Sequence, residues 1–203
     1  YIYKGLKPVH WCSHCGTALA EAEIEYADDP CYSVYVKFEV TDDKGKLFSM
    51  GAVPGKTYVV IWTTTTWTLP ANVAICLGPN FDYALLKANR EGETEYYVVA
   101  KELAANVMQE AGIEEYEIIG TVKGSELEYV ECAHPFLDRK SILILGDHVT
   151  LDSGTGCVHT APGHGMDDFM VVTQHYPEIP FTVPVDSEGR MTEEAGFSAG
   201  LTT

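Results

Sequence analysis

Basic residues are scarce in this chain: 13 Lys and Arg stand against 30 Asp and Glu, a net charge of −17 over 203 residues. That balance excludes broad, phosphate-driven nucleic-acid binding by this segment alone. It leaves room for a nucleic-acid end delivered into a pocket by another domain. Long apolar runs are also missing. No stretch reaches membrane-spanning length and no signal peptide opens the chain, so a soluble, cytoplasmic setting without a membrane partner is expected. Of the six cysteines, only Cys12 and Cys15 lie close together, too sparse for a disulfide scaffold. Internal repeats and low-complexity linkers are absent.

What is present suits an ordinary globular domain with a sizeable core: 46% hydrophobic residues, 18 Gly and 10 Pro. The chain starts at Tyr1 rather than Met and ends at Leu-Thr-Thr, which reads as a segment of a longer protein. Tyr32, Val34, Val36, Phe38 and Val40 alternate with more polar neighbours, the pattern of a half-buried strand. Residues 57–65 form a β-branched and aromatic run whose apolar stretch from Tyr58 to Trp62 predicts burial on both faces. Further strands are expected at 83–87, 96–100, 116–121, 142–145, 157–158 and 181–185. Helices are expected at 101–111, with Gly112 as its stop, and at 166–175 before Pro177. Many strands and few helices predict an α/β domain with a curled, barrel-like, mostly antiparallel or mixed sheet core and short flanking helices. Residues 1–30 read as a linking segment and 31–203 as the domain proper.

Two polar stretches and one cysteine pair carry the candidate chemistry. Trp62-Thr-Thr-Thr-Thr-Trp-Thr-Leu-Pro-Ala-Asn72 places four hydroxyls between two tryptophans. Threonine hydroxyls donate and accept while their methyls line apolar space, although a β-propensity run on a sheet edge gives the same letters. Gly154-Thr-Gly-Cys-Val-His-Thr-Ala-Pro-Gly-His-Gly-Met-Asp-Asp168 reads as a strand, a Pro/Gly turn and a helix start, with two histidines and two aspartates at the turn. Asp167 or Asp168 also suits a helix N-cap, and the histidines also suit a solvated loop. His159, His164, Asp167 and Asp168 would serve equally as ligands of a catalytic zinc or manganese. Cys12-Ser-His-Cys15 followed by Gly16 has the turn of a zinc knuckle, with His10 and His14 as candidate nitrogen ligands. Zinc needs four ligands and no second Cys-x-x-Cys exists, so Cys12 and Cys15 read as half of a structural site completed outside the segment. Cys31, Cys76, Cys132 and Cys157 read as small buried residues.

The threonine run resembles the Trp-Thr-Thr-Thr-Pro-Trp-Thr-x-Pro-Ala-Asn signature of isoleucyl-tRNA synthetases, and the 154–168 stretch resembles that family's second signature. Residues 7–12 (Lys-Pro-Val-His-Trp-Cys) and 17–25 resemble its entry into the inserted connective peptide. Valyl and leucyl relatives carry Thr-Thr-Arg-Pro at the threonine run, and this chain lacks that arginine. The resemblance implies an editing domain of bacterial type that hydrolyses valine wrongly attached to isoleucine tRNA, without a cofactor. A docking module for the tRNA acceptor end, without hydrolysis, is the non-enzymatic alternative. The resemblance assigns Asp168 to the α-ammonium of the valyl group and His159 to the wall that excludes isoleucine. It gives Thr63, Thr64 and Thr65 to the ester or the attacking water, with Trp67 and Thr68 completing the wall. The implied partners are the valine-bearing acceptor end and the remainder of the synthetase. One departure stands out: Thr66 replaces the family's usual proline, loosening the backbone that presents the threonines.

Overall fold

The computed structural model describes residues 2 and 4–203. The chain divides into two compact units. The first comprises Tyr1–Tyr32, Thr65–Val73 and Ala161–Thr203; the second comprises Ser33–Thr64 and Ala74–Thr160.

The first unit opens with β1 (Trp11–Cys12) and β2 (Thr17–Ala18), a two-residue antiparallel ladder around the cysteine knuckle. A 3-10 turn follows at Glu21–Glu23, and the rest of its structure comes from distant parts of the sequence. A 3-10 turn spans Thr66–Ala71, and another, broken at Gly196, spans Glu193–Ser198.

The second unit is one nine-stranded sheet. Its strands are β3 (Val34–Asp42), β4 (Thr57–Thr63), β5 (Ala74–Leu77), β6 (Asp82–Arg90), β7 (Glu93–Ala100), β8 (Tyr116–Lys123), β9 (Glu131–Ala133), β10 (Lys140–Leu145) and β11 (Cys157–Thr160). The order is β11-β5-β10-β9-β3-β4-β7-β6-β8. β5/β10 and β4/β7 run parallel, and the other neighbours antiparallel. The expected mixed α/β sheet is therefore present, but it has two edges, β11 and β8, and is not a closed barrel. β11 still packs against β4, so the sheet curls back on itself.

The expected strands 83–87 and 96–100 pair at the open end of a longer hairpin, β6–β7, turned through Glu91 and Gly92 with positive φ at both. The expected 101–111 helix splits into a 3-10 turn, Lys101–Leu103, and α1 (Ala104–Glu110), with Gly112 at φ 68° stopping it. Leu103, Ala104, Val107 and Met108 form its buried face. The second helix, α2 (Met166–His175), belongs to the first unit and has the expected bounds. Residues 181–185 form no strand and contribute only a bridge from Val185 to Met191. Two strands carry too little sequence signal to be expected. β5 is four buried apolar residues just beyond the Pro70–Asn72 turn, too short to distinguish from a helix fragment, and β9 has only three residues. Cys76, Cys132 and Cys157 are buried as expected, but Cys31 is exposed because it precedes β3 in irregular chain.

Two contacts set the approach to β11. Tyr83, fully buried at the start of β6, donates its hydroxyl to the Gly156 carbonyl (2.7 Å) and accepts the Gly78 N–H (2.9 Å). Gly156 has φ 70°, and a Cβ there would lie 2.4 Å from the Ala100 Cβ, so only glycine passes. Burial pushes the Tyr83 hydroxyl far above the ordinary tyrosine range, so it remains a donor at all working pH. Tyr83→Phe would leave a buried carbonyl and a buried N–H without this partner. We expect a destabilisation of about 1–3 kcal/mol, read as a lower urea midpoint; an unchanged midpoint would contradict the bridge.

Candidate functional site

The threonine run is not a sheet edge. β4 lies between β3 and β7, and Val59, Val60 and Ile61 are buried, so the strand delivers Thr63 at its end as a buried residue. Thr64 follows, exposed, at the limit of the second unit. Thr65, the first residue of the next first-unit segment, has φ −101° and ψ 70°, outside the helical region, and the 3-10 turn starts directly after it. Thr68 is buried. It gives both its N–H (3.2 Å) and its hydroxyl proton (2.8 Å) to the Thr65 carbonyl, closing the turn. The Asn72 N–H then bonds the Leu69 carbonyl and ends it. Thr66 occupies the first position of the turn, where the missing N–H of a proline is tolerated.

His159 lies on β11 opposite Ile75 of β5, half-buried. The strand is held from its lead-in: Thr155 accepts the Ala100 N–H at its carbonyl (2.8 Å), and its hydroxyl accepts the Cys157 N–H (3.2 Å). Burial pushes the Cys157 thiol far up, so this thiol two residues from His159 stays protonated and is a poor nucleophile.

The first unit holds the rest of the second stretch. After Ala161 and Pro162 the chain turns, with the His164 and Gly165 N–H groups both bonding the Ala161 carbonyl (2.9 and 3.1 Å). α2 then starts at Met166 with Gly165 in the capping position. Neither aspartate is the N-cap; Asp167 and Asp168 occupy the second and third helical positions, where negative charge complements the helix dipole. Asp168 reaches back across the turn, and its Oδ2 accepts the Ala161 N–H at 2.8 Å. A Cβ at Gly165 would lie 2.7 Å from that same oxygen, so the bare glycine makes room for the carboxylate. Glycine at 165, a residue without side-chain chemistry, gave no sequence signal of this role. His164, expected as a plain loop residue, packs edge-on to Trp67 with ring centroids 5.1 Å apart and planes at 85°. Desolvation lowers its pKa, so the ring is neutral at pH 7.

Among the described residues, no group of three or more His, Cys, Asp or Glu side chains is placed to hold a metal ion. His164, Asp167 and Asp168 therefore do not form such a group, and the metal-hydrolase alternative has no assembled donor set behind it. At the cysteine knuckle, Cys12 Sγ accepts the Cys15 N–H (3.3 Å) and the Gly16 N–H bonds the Cys12 carbonyl (2.8 Å). The Cys15 N–H lowers the Cys12 pKa, while the hydrogen bond with Cys12 raises that of Cys15. The donor set here is two thiols, half of what tetrahedral zinc requires.

Comparison with known proteins gives this geometry a family. A model of class I tRNA synthetases (I, L, M and V) matches residues 1–176. An isoleucine–tRNA ligase of Caldicellulosiruptor saccharolyticus is 58% identical over 201 residues, 99% of this chain and 21% of that protein. One from a Thermoanaerobacter species is 53% identical over the same share of each. The chain thus spans about a fifth of the length of these curated relatives. Among solved structures, the editing domain of the P. knowlesi cytosolic leucyl-tRNA synthetase is similar with a TM-score of 0.60 and 13% identity, covering 74% of this chain and 66% of that one. The P. falciparum counterpart gives 0.56 and 14%, covering 82% and 72%. At these identities the likeness is one of fold. With the family model matched over most of its length, the chain belongs to the class I tRNA synthetases (I, L, M and V).

Proposed function

We propose that the chain is the editing domain of an isoleucyl-tRNA synthetase and hydrolyses valine wrongly esterified to isoleucine tRNA. The isoleucine–tRNA ligase relatives and the shared fold of leucyl editing domains support the reading. The observation that carries it is the half-buried Asp168 carboxylate, fixed on the Ala161 N–H at a helix start. An anchored carboxylate is what an α-ammonium needs for a charge-assisted bond.

The need for such a domain is physical. One methylene in an apolar pocket discriminates by only about 10–200-fold, and isoleucine against valine is the standard worked example of that limit. A second pocket, too small for isoleucine, removes what the first lets through. In this reading Asp168 holds the amino group and His159 limits the side-chain length. Thr63, Thr64 and Thr65 position the ester carbonyl and the attacking water, while Trp67 and Thr68 shape the wall. Water adds to the ester carbonyl, the oxyanion collapses, and the terminal ribose oxygen leaves with a proton. Positioning and oxyanion stabilisation are enough for an activated ester. With a net charge of −17, the domain relies on the remainder of the synthetase to hold the tRNA body.

In the full-length enzyme, Asp168→Ala should lower valyl-tRNA deacylation by at least about 100-fold, the scale for lost substrate positioning. Isoleucine activation should be retained. Unchanged deacylation would refute the reading and favour a docking module. His159→Ala should raise isoleucyl-tRNA cleavage by about ten-fold or more, the scale of one methylene. A variant that still spares isoleucine as strictly as wild type would remove His159 from the size limit.

A further inference from the structure

The first unit contains a cavity of about 660 Å³ that takes in part of the 161–168 turn but not Asp168 itself. Its lining includes Lys7, Trp11, Trp67, His164 and Asp186. Its size falls in the range of about 300–1,000 Å³ typical of ligand sites. Trp67, Gly163 and His164 connect it to the loop that carries Asp168. Asp168, Thr65 and Thr68 do not line it. An occupant would therefore sit next to the reacting group without containing it.

The chemistry of the lining is specific. Trp11 and Trp67 keep 46% and 38% of their surface exposed, high for such large apolar side chains. Both rings are fixed in advance: Trp11 donates its Nε1–H to the Ser187 carbonyl (2.9 Å), and Trp67 is braced by the edge-on His164 ring. Fixed aromatic faces lose little freedom when a flat ring stacks on them. Gly163 allows the loop to close on the 182–183 segment, since a Cβ there would lie 2.7 Å from Val183 Cγ2. Asp186, the only acid among the described lining residues, already accepts the N–H groups of Glu188 and Arg190 through one oxygen (both 2.9 Å). Among the described lining residues Lys7 is the only Lys or Arg, within a chain that has few of them.

We propose that this cavity binds the nucleotide preceding the esterified one in the single-stranded RNA end, its base stacked on Trp11 and its phosphate near Lys7. The proposal rests on the editing reading and adds to it a second nucleotide subsite on the linking segment. An unstacked base on an aromatic face is the usual way a protein holds single-stranded RNA.

The test uses the full-length synthetase carrying this chain and two substrates, valyl-tRNA and 2′(3′)-O-valyladenosine, which lacks the preceding nucleotide. Trp11→Ala should raise KM for valyl-tRNA deacylation by about ten-fold, within the range for one stacked base, with kcat unchanged. Valyladenosine cleavage should not change, and Trp11→Phe should restore the wild-type KM. Lys7→Gln should flatten the dependence of log KM on log salt by about 0.7, one phosphate on a single strand. Equal KM values for wild type and Trp11→Ala would overturn the proposal. So would equal losses on both substrates, a Trp11→Phe as impaired as Trp11→Ala, or an unchanged salt slope in Lys7→Gln. A wild-type enzyme that cleaves neither substrate would instead refute the editing reading and this proposal with it.

Discussion

The hydrogen bond from the Ala161 N–H to Asp168 Oδ2 decides what the 161–168 turn can be. It ties the end of one segment to the third residue of α2, and it works only because residue 165 has no Cβ in the way. A charge-assisted bond of this kind contributes more than a neutral one and fixes direction as well as distance. The helix dipole favours the same negative charge at the same place. The aspartate is thus held for two local reasons before any substrate is considered. A carboxylate so fixed meets a ligand without first losing conformational freedom.

A comparable economy of means operates in the sheet unit. The Tyr83 hydroxyl joins the Gly78 N–H to the Gly156 carbonyl, and the positive φ of Gly156 lets the chain pass Ala100. β11 then pairs with β5 in a register that places His159 opposite Ile75. On the other stretch, β4 is held on both sides by β3 and β7, which fixes where Thr63 ends the strand. Each polar stretch therefore starts from a strand whose position is set by buried contacts. Variation in the polar residues themselves need not disturb the core.

Much of this was legible in the sequence because it rests on local rules. Alternation read out β3, a β-branched run read out β4, and the Gly/Pro turn before a periodic segment read out α2 to the residue. The class of sheet followed from the number of strands. What was hidden depends on partners far away in sequence. β5 is buried between β10 and β11, and nothing in four apolar letters states that. An N-cap is one open reading of Asp167 or Asp168 in the sequence, since Asp is a preferred cap, whereas Gly165 takes that position and Asp168 folds back to Ala161. Resemblance alone assigns Thr68 to a pocket wall, and nothing in the run of letters states that it is buried and gives its hydroxyl proton to the Thr65 carbonyl. The tryptophan-lined cavity draws on residues near 7–13, 67 and 183–189, a grouping that no window along the sequence contains.

In the proposed editing reaction, the pose of the Asp168 carboxylate matters beyond its mere presence. The most direct measurement is single-turnover deacylation of valyl-tRNA by the full-length enzyme carrying Gly165→Ala. Gly165 has φ −111°, so alanine adds no backbone strain there, and its Cβ would lie 2.7 Å from the Asp168 carboxylate oxygen. A fall of about ten-fold or more is expected, as for a misplaced positioning group, with isoleucine activation retained. Deacylation at the wild-type rate in that variant would contradict it.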